Sequence, residues 1–264
     1  MNKTNSLLLA GVLSATLMAS VNVRAEEAAA PAAAPASPHT FTANVGIFND
    51  YLFRGVSYGK ERGAIQGGID YSHASGFYAG VWGSSIEKDS LAGNTTEIDL
   101  YGGYVYPINA DLSLNVGFLQ FYYPNHKTCQ ACSSQNTTEL NAALTYKYFT
   151  LKHSYVVSDW FGLRGSDGSG YTEFNVAYPL PITQITGLNI AAHVGHQRVE
   201  TWSAGDYTDY LIGVNKDFAI AGSTGYNVGV NYSYNDGDTS AYLPMADGYK
   251  QVGSHTMFYL KRTF

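Results

Sequence analysis

Residues 226–234 read Tyr226-Asn227-Val228-Gly229-Val230-Asn231-Tyr232-Ser233-Tyr234. Apolar or aromatic side chains stand at the even positions, and small or polar ones at the odd. A period of two places these sets on opposite faces of a β-strand, and no 3.6-residue helical period competes with it. The pattern spreads outward from here in both directions. Phe41, Ala43, Val45 and Ile47 alternate with Thr42, Asn44 and Gly46; Ile98, Leu100 and Tyr104 with Glu97, Asp99 and Gly103. Leu112, Leu114, Val116 and Phe118 follow the same rule, as do Leu140, Ala142, Leu144 and Tyr146, and Leu188, Ile190, Ala192 and Val194. Twelve segments result: 41–53, 63–73, 77–87, 95–106, 111–122, 137–148, 150–160, 170–179, 187–199, 207–218, 226–236 and 248–264.

Composition narrows the class. Of 264 residues only 14% are charged, where a soluble domain carries roughly 25%. Tyrosine and glycine are abundant, at 22 and 28, yet mean hydropathy is only −0.13. The apolar residues are therefore interleaved with polar ones, and after residue 25 no run approaches the ~18 residues of a spanning helix. The aromatic content excludes a disordered chain. A net charge of −6 with 15 Lys+Arg excludes a nucleic-acid binder, which needs a basic stripe.

The fold class follows as an all-β, transmembrane antiparallel barrel of about twelve strands in an up-and-down meander. Connections after even-numbered segments are tight, including Ala74-Ser75-Gly76, Pro107–Ala110 and a hinge at Phe149. Those after odd-numbered segments are longer and polar, including 123–136, 161–169 and 237–247. Short turns on one side, long loops on the other and an even strand count mark a bacterial outer-membrane barrel, with turns and termini on the periplasmic side. A soluble sandwich would carry charge on its outward faces. Here the strand charges sit opposite the Leu/Val/Phe face, as in a barrel that is apolar towards lipid and polar inside. Tyr51, Tyr106, Tyr122, Tyr123, Tyr148, Tyr178 and Tyr234 fall near strand ends, where an aromatic girdle meets the headgroups. In the closing MFYLKRTF, Phe258, Leu260 and the terminal Phe264 share a face, similar to the signature by which the barrel-assembly machinery recognises its clients.

The first 25 residues read as an address. A short cationic start, the apolar run Ser6–Val21 and Val23-Arg24-Ala25 predict a secretory signal peptide cleaved after Ala25. Residues 26–39 form an Ala/Pro-rich periplasmic linker, too poor in large apolar residues to pack. The barrel occupies 40–264, and the expected location is the bacterial outer membrane.

The stretch 49–85 reads NDYLFRGVSYGKERGAIQGGIDYSHASGFYAGVWGSS. It resembles the start of the TorF family, proteobacterial outer-membrane proteins of unknown function that are called porins by analogy. The likeness rests on Asp50-Tyr51, Phe53-Arg54-Gly55, Ser57, Ala64, Gln66-Gly67-Gly68, Asp70-Tyr71, His73, Ser75-Gly76-Phe77-Tyr78, Gly80 and Trp82. Later segments match through strand rhythm, Tyr106-Pro107 and the KRTF ending. The resemblance implies an outer-membrane barrel and carries over no functional residues.

Three constellations bear on chemistry. His73 and Ser75, two apart, invite comparison with the His/Ser pair of outer-membrane phospholipase A. Their place in a periplasmic hairpin instead reads as turn chemistry, so no catalytic residue is expected. His126, Cys129 and Cys132 lie in the third long loop. Ser133 excludes c-type haem attachment, and one Cys-x2-Cys with one His is a ligand short of a closed zinc site. A local Cys129–Cys132 disulfide is favoured over metal or free thiols, and no cofactor or metal is expected. The lumen-facing candidates are Asp70, Glu97, Asp99, Glu139, Asn141, Lys147, Glu173, His193 and Asp209. With Asp50 included, seven carboxylates face Lys147, Lys152 and Lys261, with His193 and His255 able to titrate. An acidic lumen favours cations, whereas paired charges would close it. Arg54, Lys60 and Arg62 are assigned to the first external loop, where lipopolysaccharide phosphate is a candidate partner. The expected function is a passive channel for ions or small polar solutes. The alternatives are a plugged structural or sensing barrel and a lipid hydrolase using His73 and Ser75.

Overall fold

The computed structural model describes residues 37–124, 134–242 and 248–264. The signal segment, most of the linker and the Cys129–Cys132 pair lie outside these residues. Among the described residues fourteen strands are formed: β1 His39–Phe48, β2 Leu52–Phe53, β3 Val56–Ser57, β4 Ala64–His73, β5 Phe77–Ser85, β6 Thr96–Pro107 and β7 Leu112–Tyr122, then β8 Thr137–Tyr146, β9 Phe149–Val156, β10 Gly170–Pro179, β11 Leu188–Arg198, β12 Tyr207–Ile220, β13 Ser223–Asn235 and β14 Ser254–Thr263. Twelve of them, β1 and β4–β14, close into one antiparallel transmembrane barrel in meander order. β1 and β14 seal it, from Asn44 opposite Thr263 to Phe48 opposite Tyr259. Closure pairs every strand on both sides and removes the edges that would otherwise recruit another sheet.

Alternation decides which face each residue takes. Ile65, Ile69, Val81, Leu100, Val116, Leu140, Leu151, Ile212, Val228 and Phe258 point outward and are exposed. Among the described strand residues no carboxylate faces outward. Arg198 at one end, and Lys216 and Arg262 at the other, are the outward Lys/Arg side chains, placed where long side chains reach the interface. Aromatic pairs flank the apolar belt. Phe41–Tyr71, Phe77–Tyr104 and Tyr148–Tyr178 stand at the turn end and Tyr210–Tyr234 at the loop end.

Several boundaries differ from the sequence reading. The hinge placed at Phe149 is Lys147-Tyr148, since Tyr146 pairs with Phe149. Lys147 has φ 52°, the left-handed conformation of a two-residue hairpin turn. The β12–β13 connection shrinks to the Ala221-Gly222 turn, both residues with positive φ. The largest difference concerns the first segment. β1 stops at Phe48, and residues 49–63 fold inward around the small hairpin β2–β3, in which Leu52 pairs Ser57 and Phe53 pairs Val56.

Candidate functional site

The inward first loop crosses the loop-end mouth and packs there as a plug. Arg54 and Gly55 form its tip, with φ of 50° and 75°, a turn that glycine makes without strain. A side chain at 55 would also collide with Asp209 Cβ at 2.7 Å, so glycine lets the tip sit against β12. Tyr51, Phe53, Val56 and Tyr58 of the plug join Trp82, Ile86, Leu119, Phe121, Tyr123, Tyr207 and Val252 of the wall and loops in one buried cluster. Phe53 meets Phe121 edge-on at 5.3 Å, and Tyr51 lies 5.6 Å from Trp82. Tyr51 and Tyr123, expected in the lipid-facing girdle, are fully buried here instead. Their hydroxyls both donate to Glu97, at 2.5 and 2.7 Å. A phenol beside a buried carboxylate satisfies a lone pair that water cannot reach, and this outweighs the headgroup preference.

Arg54 is the clamp. Placed by sequence in an external loop, it reaches into the lumen and meets Glu139 in a bidentate pair, Nη1 to Oε1 at 2.9 Å and Nη2 to Oε2 at 2.7 Å. The guanidinium lies 4.2 Å from the Tyr171 ring centroid and also donates to Gln197 at 3.3 Å. From Tyr171 a polar chain continues around the wall. The Tyr171 hydroxyl donates to Asp209 at 2.7 Å, and His193 Nε2 lies 3.0 Å from the other Asp209 oxygen. His193 Nδ1 contacts Asn175 at 2.6 Å, Asn175 donates to Glu173 at 2.9 Å, and Glu173 pairs with Lys152 at 3.3 Å. Gly195 makes the Tyr171 placement achievable, because a Cβ there would overlap the phenol.

The remaining candidates fall into three groups. Asp70 accepts from the Tyr101 hydroxyl in the half-exposed lower lumen, with no cation beside it in the contacts of the described residues. Asp99 is buried beneath the plug, and its Oδ1 has no hydrogen-bond partner there. Asn141 faces inward and is partly exposed. Lys147 is the correction: it sits in the turn, outside the lumen, with its ammonium 3.4 Å from Asp111. Asp217, not among the candidates, faces inward and accepts from Asn189 at 3.0 Å and Asn227 at 2.6 Å. Lys60 is buried, 4.0 Å from Asp89, and Arg62 lies 3.7 Å from Glu87.

Exposure is graded along the axis. Inward residues near the loop end, such as Glu97, Glu139 and Asp209, are buried beneath the plug. Towards the turns Thr42 is exposed and Asn44, Ser72, Ser113, Thr145 and Asn189 are partly exposed, while Asn115, Asn215 and Asn227 are buried among their neighbours. The barrel interior is thus polar along its length, partly exposed towards the turns and covered by a loop at the other end.

The family-like block of the sequence now has a structural meaning. Asp50, Tyr51, Phe53, Arg54, Gly55 and Ser57 build the plug, with Ser57 donating to both Asp50 oxygens at 3.0 and 2.9 Å. Gln66, Gly68, Asp70 and Trp82 line the facing wall, and Gly68 leaves room for Trp82. Gly67 and Tyr71 face outward, and Gly76 turns the first hairpin with φ 106°. His73 Nδ1 lies 2.6 Å from Ser75 Oγ and also accepts the Ser75 backbone N–H at 3.2 Å. This is an exposed turn cap. The ring next to it is His39, 5.1 Å away, and no carboxylate of the described contacts orients it.

A closed twelve-stranded barrel with an apolar belt and a polar lumen has the porin-like fold. The chain belongs to the family described as "Bacterial protein of unknown function (Gcw_chp)", which matches residues 32–264. Among solved structures it is similar to the KdgM porin, at TM-score 0.52 and 9% identity, covering 85% of this chain and 99% of that one. The KdgM porin in complex with disordered oligogalacturonate gives the same figures. The NanC porin matches at TM-score 0.50 and 10% identity over 85% and 99% of the two chains. At such identities the likeness concerns the fold. No curated protein matches the chain.

Proposed function

We propose that this protein is an outer-membrane channel for passive diffusion of ions or small polar solutes, narrowed at its loop-end mouth by the first loop. One observation supports the reading above others: a polar lumen runs up the barrel, and the stopper is a loop hairpin rather than the wall. A loop rearranges at far smaller cost than a closed sheet. The porin fold of the similar structures agrees with it, as does the resemblance of residues 49–85 to the TorF family. The oligogalacturonate of the KdgM complex is a polyanion. Here Asp70, Glu97, Asp99, Glu139, Glu173, Asp209 and Asp217 face Arg54, Lys152 and Lys261, so cations or neutral polar solutes are the better fit. In this reading the turns face the periplasm, the loops face lipopolysaccharide, the belt meets lipid, and Phe264 engages the assembly machinery. No enzymatic role or cofactor is assigned.

A second reading, a plugged structural or sensing barrel, is favoured by the density of the plug contacts. Planar-bilayer recording of the refolded protein separates the two. Small discrete conductance steps support the channel; a silent barrel supports the second reading. Phospholipid hydrolysis that disappears in Ser75→Ala would overturn both.

A further inference from the structure

At the root of the plug, Asp50, Glu61 and His255 converge from three segments. Asp50 follows β1, Glu61 lies on the return limb of the first loop, and His255 is on β14. One ligand atom from each lies within 4.8 Å of the others. Asp50 and His255 are buried. Gly59 permits the approach, since a Cβ there would lie 2.6 Å from Asp50 Oδ1.

His255 supplies the independent observation. Its Nε2 lies 3.2 Å from the Gln251 carbonyl oxygen, an acceptor only, so Nε2 carries the proton. Its Nδ1 faces Glu61 Oε1, 3.5 Å away. Its other neighbour is the Tyr249 hydroxyl at 3.3 Å, which donates to Ser57. A side chain more than nine-tenths buried thus anchors one ring nitrogen on the backbone and directs the other into the cluster. Anchoring of the second ring nitrogen on a backbone carbonyl is how metal-binding histidines are oriented.

We propose that Asp50, Glu61 and His255 form a divalent transition-metal site, with Zn²⁺ as the fitting ion, that staples the plug to the last strand. Two carboxylates and a neutral imidazole balance a 2+ charge. Metal–ligand bonds of about 2.0–2.1 Å in a tetrahedron set ligand atoms roughly 3.4 Å apart, close to the Glu61–His255 separation. The imidazole ligand disfavours Ca²⁺ and Mg²⁺, which take oxygen. Water would complete the fourth position. The inference does not depend on conduction, because binding is read directly.

The test is Zn²⁺ titration, by competition with a chromophoric chelator, of refolded full-length barrel stripped with EDTA. The expected result is one equivalent bound, with affinity reduced at least about tenfold in Glu61→Gln and in His255→Gln. His73→Gln, at the opposite end, should bind as wild type. Heat-modifiable gel migration checks that each variant is folded; Glu61 is half-exposed on its loop, so its variant keeps the test decisive if the buried histidine variant misfolds. Absence of stoichiometric Zn²⁺ binding, unchanged binding in folded Glu61→Gln, or loss in His73→Gln would overturn the proposal.

Discussion

At the scale of single residues, Arg54 and Glu139 carry the tightest constraint on the plug. Their side chains are 5% and 1% exposed, so removing either leaves a charge without its partner in a water-poor place. Such breakage costs about 3–5 kcal/mol, whereas replacing both partners together costs much less. Arg54→Met and Glu139→Gln should therefore each destabilise the plugged mouth strongly, and the two together should recover most of the loss. Limited proteolysis of the first loop, followed across the four proteins of the cycle, measures this. Equal cleavage in all four would mean that the pair does not hold the loop. Asp50 shows the same pressure on a smaller scale. Burial pushes its carboxyl up, while the Ser57 hydroxyl and the backbone N–H groups of Glu61 and Tyr51 pull it back.

At the scale of elements, the β2–β3 hairpin is the part whose removal is most informative. It belongs to no barrel ladder, so its deletion leaves all twelve wall strands paired. Replacing residues 51–58 with a short Gly/Ser link should keep the heat-modifiable, folded barrel. Single-channel conductance should rise several-fold over wild type. An unchanged conductance in that variant would mean that the narrowest point lies lower, among the inward side chains of the wall. The wall has its own reason to survive the deletion. Its strands are held by ladder hydrogen bonds and by an apolar belt facing lipid, neither of which involves the plug.

At the scale of the whole molecule, the lumen carries an excess of carboxylates, but most are matched locally. Glu139 has Arg54, Glu173 has Lys152, and Glu97 has two phenols. Asp70 is the partly exposed exception, with only the neutral Tyr101 hydroxyl against it in the described contacts. The expected selectivity is a modest cation preference, fading at high salt because the screening length falls from roughly 10 Å at 0.1 M to 3 Å at 1 M. Reversal potentials under a salt gradient should move towards zero in Asp70→Asn. An anion preference in the wild type would place the solute path away from these carboxylates.

Strand content, the outward belt and the assignment of short turns and long loops to opposite ends follow from the amino-acid sequence by itself. The reason is local: with a period of two, each residue's face is set by its neighbours' parity, and lipid on one side with water on the other makes that parity visible. The inward Glu97, Asp99, Glu139, Glu173 and Asp209 are legible for the same reason. The plug is not. Tyr51 and Phe53 continue the parity of Phe41 and Ile47, so the first strand reads on to residue 53, and only the Arg54-Gly55 turn marks a departure. What folds that segment inward is a set of partners far along the chain. Tyr51 meets Glu97 46 residues away, Arg54 meets Glu139 at 85, and the Arg54 carbonyl accepts from Asn235 at 181. Those distances exist only once the barrel has closed. The closed sheet therefore decides that a stretch indistinguishable from a strand by pattern becomes the stopper of the lumen.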